Sequence, residues 1–323
     1  MKRAALLFIL LAIAVTAEAG PSPNVSPRKG VIDRIPLEQT DNWCRQMRNS
    51  WGMGSTYTYW WGYTVATCPG VRSVTFLSWD TTSFPNDAAL AGLGVEYALM
   101  YNECNVSTQC ATPPEVAAAH LVGVALPAIR QHTPDMRLIV GGATADPCGR
   151  DWMTDLFDEV VRLAGELPPE IAGAHWHLWP DLIAQDWRTG YGPCAEQEYG
   201  LAAWREQLDA VQLWQQEHAP GREAWLTEWG WHWDGHSEEI RLDYMGDLLA
   251  YFDNAGRWWD TTYYFAYTDD RSPSRDLALC NRPGCTPTAV GALWKAWQPA
   301  PAVYDAAYSV ALPVSMGSPE AYP

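Results

Sequence analysis

Between residues 41 and 297 short apolar runs alternate with longer amphipathic ones, and this alternation limits the folds open to the chain more than any other feature. The strand candidates are Asn49–Gly52, Tyr57–Trp61, Ser73–Ser78, Glu96–Glu103, Arg137–Gly142, Ile171–Leu178, Glu223–Trp229 and Thr261–Tyr267. Several are apolar at consecutive positions, as strands buried on both faces are. Helix signals lie between them. Thr112-Pro113-Pro114-Glu115 combines an N-cap, a Pro in the first turn and a capping-box Glu ahead of Val116–Arg130. Ser237 is placed to cap Glu238–Asn254, and Asp151–Ala164 and Tyr199–His218 carry helical periodicity. Eight strands with helices between them predict an α/β fold, a single (β/α)₈ TIM barrel. Little helix fits between the first two strand candidates. A doubly wound open sheet is the alternative, but it has no Gly-rich phosphate loop in its favour.

The ends read differently. Lys2 and Arg3, the apolar run Ala4–Val15 and the small-x-small Ala17-Glu18-Ala19 have the order of an export signal over residues 1–19. The apolar run falls short of the ~20 residues that span a bilayer, so the mature chain is expected to be secreted, with no membrane contact after cleavage. Residues 20–40 read as a flexible, Pro-rich lead-in, 41–297 as the barrel and 298–323 as a Pro/Ala-rich tail. The net charge of −17 excludes nucleic acid and anionic membrane as natural partners. No cofactor is expected, and the chain is expected to be a monomer. All eight cysteines follow the export segment, which suggests disulfides. Cys280 and Cys285 close a short Asn-Arg-Pro-Gly turn, and Cys44 with Cys68 can staple the N-terminal region. The pairing of Cys104, Cys110, Cys148 and Cys194 stays open. There is no CxxC pair for zinc, and Asn24 and Asn105 head glycosylation sequons. Nineteen tryptophans are an excess for this length. Flat, amphipathic indoles suit the apolar faces of sugar rings, although for any one of them a core position is an equal alternative.

The fourth strand candidate ends Leu99-Met100-Tyr101-Asn102-Glu103-Cys104, and the seventh ends Trp225-Leu226-Thr227-Glu228-Trp229-Gly230. Each puts a carboxylate where an apolar strand gives way to a loop. In a barrel all strand C-termini meet at one mouth, so Glu103 and Glu228 can face each other there. Two opposed carboxyl groups are what glycosidic bond cleavage requires: one protonated to donate to the departing oxygen, one ionised to meet the developing oxocarbenium carbon. A lone strand-end Glu is ordinary; the two in matching contexts favour catalysis.

These segments resemble clan A of the glycoside hydrolases, and within it the compact secreted endo-β-1,3-glucanases of family 128. That family reads roughly Phe-Asn-Glu-Pro on its fourth strand, His-Trp-Tyr on its sixth and Thr-Glu-Phe/Trp-Gly on its seventh. This chain has Tyr101-Asn102-Glu103-Cys104, His175-Trp176-His177 and Thr227-Glu228-Trp229-Gly230, and the likeness covers about residues 48–297. The resemblance implies that 41–297 is a catalytic domain with Glu103 as acid/base and Glu228 as nucleophile of a retaining hydrolase. It implies that Asn102 binds the sugar 2-hydroxyl. The substrate it implies is a β-glucan polysaccharide or oligosaccharide, foremost β-1,3-glucan cut internally. Other β-glycans (β-1,4-glucan, mannan or xylan) and a catalytically silent carbohydrate-binding barrel are the alternatives. His177 stands where the family has a Tyr that touches the nucleophile, and Cys104 replaces the usual Pro. The Trp expected after the eighth strand is not evident, and Tyr267 is the substitute platform.

His175 and His177 form an H-x-H with both side chains on one face, and His232 and His236 follow later. Amidohydrolase barrels carry that motif on their first strand, whereas here it lies on the sixth without the accompanying Lys and Asp; no metal is expected. His175, His177, Trp61, Trp79, Trp179, Trp229, Trp231 and Tyr267 are the candidate sugar contacts. Trp176 alternates with the two histidines and reads as core.

Overall fold

The computed structural model describes residues 25–33, 40–58, 70–179, 203–230, 237–264, 279–281 and 286–301. Eight parallel strands close a barrel in sequence order: β1 Ser26–Asp33, β2 Met53–Thr58, β3 Arg72–Ser78, β4 Tyr97–Met100, β5 Arg137–Thr144, β6 Ile171–Leu178, β7 Glu223–Trp229 and β8 Thr261–Tyr264. Around it stand α1 Thr40–Trp51, α2 Asp87–Gly92, α3 Pro114–His120, α4 Leu126–His132, α5 Pro147–Ala164, α6 Trp204–His218, α7 Glu238–Asp253 and α8 Ala289–Ala296, with a π-helical turn over Leu121–Ala125 joining α3 to α4. β9 Cys280–Asn281 and β10 Thr286–Pro287 form a small antiparallel pair before α8. The (β/α)₈ barrel expected from the alternation is what the chain forms. Among the described residues no helix is long and apolar enough to cross a membrane.

Six strands lie where the apolar runs put them; the first two do not. Asn49–Gly52 is mostly the last turn of α1, β2 begins four residues before Tyr57, and β1 comes from the segment expected to be a lead-in. Its Pro-rich, polar composition reads as a flexible lead-in, yet the side chains of Arg28 and Lys29 are buried. The guanidinium of Arg28 donates to the carbonyls of Phe252, Gly256, Trp259 and Ala300, and Lys29 Nζ donates to Trp297 O at 2.7 Å and Lys295 O at 3.2 Å. Cations on carbonyls at helix C-termini are satisfied without leaving the core. Burial pulls the Lys29 ammonium down to about 7. The same contacts hold Ala300, whose N–H bonds Asp253 at 3.0 Å, so the opening of the expected tail lies against the barrel.

Two cores result. Ile32, Val74, Leu99, Ile139, Trp225 and Tyr263 fill the lumen, and a larger layer packs between strands and helices. Trp176 belongs to the outer layer, 4.9 Å from Trp214 of α6 in an edge-to-face contact. Both residues give volume to the wall, as the core reading of Trp176 requires.

Candidate active site

β4 stops at Met100, and the chain then turns sharply at the barrel mouth. Tyr101 and Glu103 adopt left-handed backbone, φ +70° and +48°, which costs about 1–2 kcal/mol per residue. Ties from three directions hold it. Tyr101 N–H donates to Ser78 O, Asn102 N–H to Trp79 O at 3.1 Å and Glu103 N–H to Gly142 O at 2.8 Å. Cys104 is then bonded to Cys110. Gly142 must be glycine: its φ is +59°, and a Cβ would lie 2.6 Å from His175 Cε1 and 2.7 Å from the Tyr101 carbonyl. Strain held by surrounding structure in this way concentrates at functional sites.

β7 delivers the second carboxylate through a bulge. Trp176 pairs with Leu226, but His177 pairs with Glu228, so Thr227 is the extra residue. Without the shift, alternation would send Glu228 out toward the helices. With it, Thr227 and Glu228 both meet histidines of β6 inside the barrel. His177 Nδ1 lies 2.9 Å from Glu103 Oε1 and 3.6 Å from Glu228 Oε2. Trp179 Nε1 donates to the same Oε1 of Glu103 at 3.2 Å. One oxygen of each carboxylate and Nδ1 lie within 4.8 Å of one another, all three residues buried. This is the one group among the described residues whose donor atoms converge closely enough to hold a metal ion; its 2.9 Å contact is of ordinary hydrogen-bond length.

The two histidines are shifted in opposite directions. For His175, burial and the charge of His177 outweigh the bond to the Met100 carbonyl and hold the imidazole down to about 3, so it is neutral. A carbonyl can only accept, so Nε2–H donates to Met100 O at 3.1 Å and Nδ1 accepts from the Thr227 hydroxyl at 2.8 Å. For His177, burial lowers the value, but the charge of Glu228 and the bond and charge of Glu103 overcome it and raise it. His177, reasoned to touch the nucleophile, lies at ion-pair distance from Glu228 and is bonded more closely to the acid/base candidate Glu103.

The remaining site residues divide. Asn102 is buried beside Glu103, and its Oδ1 has no partner among the described residues. Trp79, half-buried at the mouth, lies 5.9 Å from Phe76. Two expected sugar contacts are elsewhere. His175 has both nitrogens engaged by the barrel, and Trp229 faces outward against Phe252 and Trp294 at 5.5 and 5.3 Å. Trp229 follows the bulge, which turns Glu228 in and sends its neighbour out. Trp61, Trp231 and Tyr267, with His232, His236, Cys68 and Cys194, lie outside the described residues, as does the Cys280–Cys285 link. Cys44 and Cys148 are disulfide-bonded, and no cysteine among the described residues is free. Asn105 heads a sequon but is fully buried, with both ends of its amide on Thr144 at 2.6 and 3.3 Å. The roles of Gly142 and Thr227 escaped sequence reasoning; the Gly141-Gly142 pair within β5 was the available signal.

Comparison with known proteins agrees with this fold. Residues 40–185 match the family model for the glycosyl hydrolase catalytic core. No curated protein matches the chain. Among solved structures, the chain is similar in fold to a family 128 subgroup II endo-β-1,3-glucanase from Pseudomonas viridiflava, at 17% identity over 86% of this chain and 100% of that one, TM-score 0.59. It is similar to a subgroup I endo-β-1,3-glucanase from Amycolatopsis mediterranei in complex with laminaritriose and laminaribiose, at 18% identity over 84% and 100%, TM-score 0.59. A subgroup III curdlan-specific exo-β-1,3-glucanase from Blastomyces gilchristii follows at 20% identity over 84% and 100%, TM-score 0.53. The likeness to family 128 noted in the motifs extends to the fold.

Proposed function

We propose that this protein is an exported, retaining glycoside hydrolase of family 128 that cleaves β-1,3-glucan internally. One observation carries the reading: Glu103 and Glu228, brought from β4 and β7, present carboxylate oxygens within 4.8 Å of each other across a shared imidazole. Covalent displacement needs carboxyl groups about 5–5.5 Å apart, whereas the water-mediated route needs about 6.5–9.5 Å. The close approach supports the covalent route, and the match of the two strand-end motifs to those of family 128 supports Glu228 as nucleophile and Glu103 as acid/base. Glu228 attacks the anomeric carbon while Glu103 protonates the departing oxygen; Glu103 then takes a proton from the water that releases the sugar. The unpartnered Oδ1 of Asn102 supports a bond to a sugar hydroxyl next to the scissile centre. The laminari-oligosaccharides bound to similar structures, and Trp79 at the mouth, support a neutral β-1,3-glucan as substrate. The N-terminal segment and the Cys104–Cys110 bond support export and action outside the cytoplasm.

Reducing-sugar release from laminarin, curdlan, β-1,4-glucan, mannan and xylan tests the reading. Products of several sizes from laminarin and curdlan are expected, with the β-anomer first in an NMR time course. Activity confined to β-1,4-glucan or mannan would reject the substrate, and an α-anomer formed first would reject the mechanism. Binding without release by the wild type would make the barrel a silent one.

A further inference from the structure

The feature left unexplained by this reading is Trp179, whose flat indole suggests a sugar platform but which is 7% exposed with its N–H spent on Glu103. His177 and Trp179 stand at i and i+2 at the end of β6, so their side chains leave the strand on the same face. From there both reach across to the same atom of β4's carboxyl group, Oε1, at 2.9 and 3.2 Å. Among the described residues nothing donates to Oε2. A protonated carboxyl group has two unlike oxygens, a carbonyl that accepts and a hydroxyl that donates. With two N–H groups aimed at Oε1, a proton there would have to displace one of them.

We infer that Trp179 is a positioning residue for the acid/base: together with His177 it saturates Oε1 of Glu103 and so assigns the transferable proton to Oε2. The inference rests on Glu103 and Glu228 being the catalytic pair. In the first step the Oε2 proton passes to the glycosidic oxygen as its bond to the anomeric carbon breaks and the Glu228 carboxylate forms the new bond. Glu103 is left as a carboxylate, which the same two donors bind more strongly than the neutral acid. In the second step Oε2 takes a proton from water, whose oxygen bonds the anomeric carbon and frees Glu228. The N–H groups are thus fixed in advance where negative charge develops. His177 is faced by Glu103 from β4, Glu228 from β7 and His175 from its own strand, with ring centroids of the two histidines 6.0 Å apart. Nδ1 is therefore drawn toward both carboxylates, whereas the Trp179 bond goes to Glu103. That makes Trp179 the cleaner place to test.

Trp179→Phe keeps a flat aromatic side chain and removes the N–H. With phenyl β-laminaribioside, whose leaving group needs its proton, kcat/KM should fall about tenfold, the worth of one hydrogen bond to a charged group, with little change in KM. With 2,4-dinitrophenyl β-laminaribioside, whose phenolate leaves unprotonated, kcat/KM should change less than about twofold. On a Glu103→Ala background the Trp179→Phe change should have no further effect on the dinitrophenyl substrate, and Trp179→His should restore part of the phenyl rate. Equal losses on both glycosides, a further loss on the Glu103→Ala background, or no loss on the phenyl glycoside would overturn the inference. An active Glu228→Gly variant would instead remove the assignment of the catalytic pair, whatever Trp179 does.

Discussion

Removing the Cys104–Cys110 bond by a double Cys→Ala change should cost more activity than stability. The bond closes a loop with a sequence separation of six. Chain entropy for a loop that short corresponds to about 2.4 kcal/mol at 25 °C. In a chain of this size that lowers Tm by about 4 °C, leaving the barrel folded at 25 °C. The bond also follows directly on Glu103, whose backbone sits at φ +48°. Releasing Cys104 lets Glu103 relax toward the right-handed region, recovering about 1–2 kcal/mol of local strain and part of the lost stability. The acid/base then leaves the position in which His177 and Trp179 hold it, and a displacement of about 1 Å costs on the order of 10²-fold in rate. The assay is kcat/KM at 25 °C on laminari-oligosaccharides, beside a thermal melt of the same sample. A rate loss well beyond the unfolded fraction, with a stability loss below 2.4 kcal/mol, is expected. An unchanged rate with the full stability loss would show that the Ser78, Trp79 and Gly142 carbonyls hold the turn alone, and would refute the reasoning.

Because His175 is neutral down to about 3 in the fold and titrates at about 6.5 unfolded, its contribution is present above pH 6.5 and is lost as pH falls toward 3. Urea titrations at pH 6.5 and 4.5 should differ by up to about 2.5 kcal/mol from this residue, a difference absent in His175→Gln. His177 has the opposite sign: its raised value makes its contribution complete below pH 6.5 and lost as pH rises through the elevated value, so His177→Phe should cost more stability at pH 6 than at pH 9 in paired melts. Gly142→Ala forces a side chain onto His175 and the Tyr101 carbonyl and should destabilise by about 2–4 kcal/mol in chemical denaturation, with activity falling in parallel. Expressed in a glycosylating host, Asn105 should carry no glycan by peptide mass mapping, because its amide is buried on Thr144.

The sequence by itself determined the barrel, six of its eight strands and the two strand-end carboxylates, because those depend on local hydrophobic period and on where apolar runs stop. Strand ends in a parallel barrel share one mouth, so strand position alone pairs Glu103 with Glu228. Tertiary structure decided what local pattern cannot encode. Ser26–Asp33 became a barrel strand because Arg28 and Lys29 find helix-end carbonyls far along the chain, and only those partners make two buried cations tolerable. A bulge of one residue at Thr227 decided which of Thr227, Glu228 and Trp229 face inward, and so removed Trp229 from the sugar contacts. His175 was expected at the substrate and is instead neutral support, because its two nitrogens meet Met100 and Thr227 from neighbouring strands. The sequon at Asn105 was cancelled by burial. In each case the deciding interaction joins residues distant in sequence, and its energy depends on distances and desolvation that exist only once the barrel has closed.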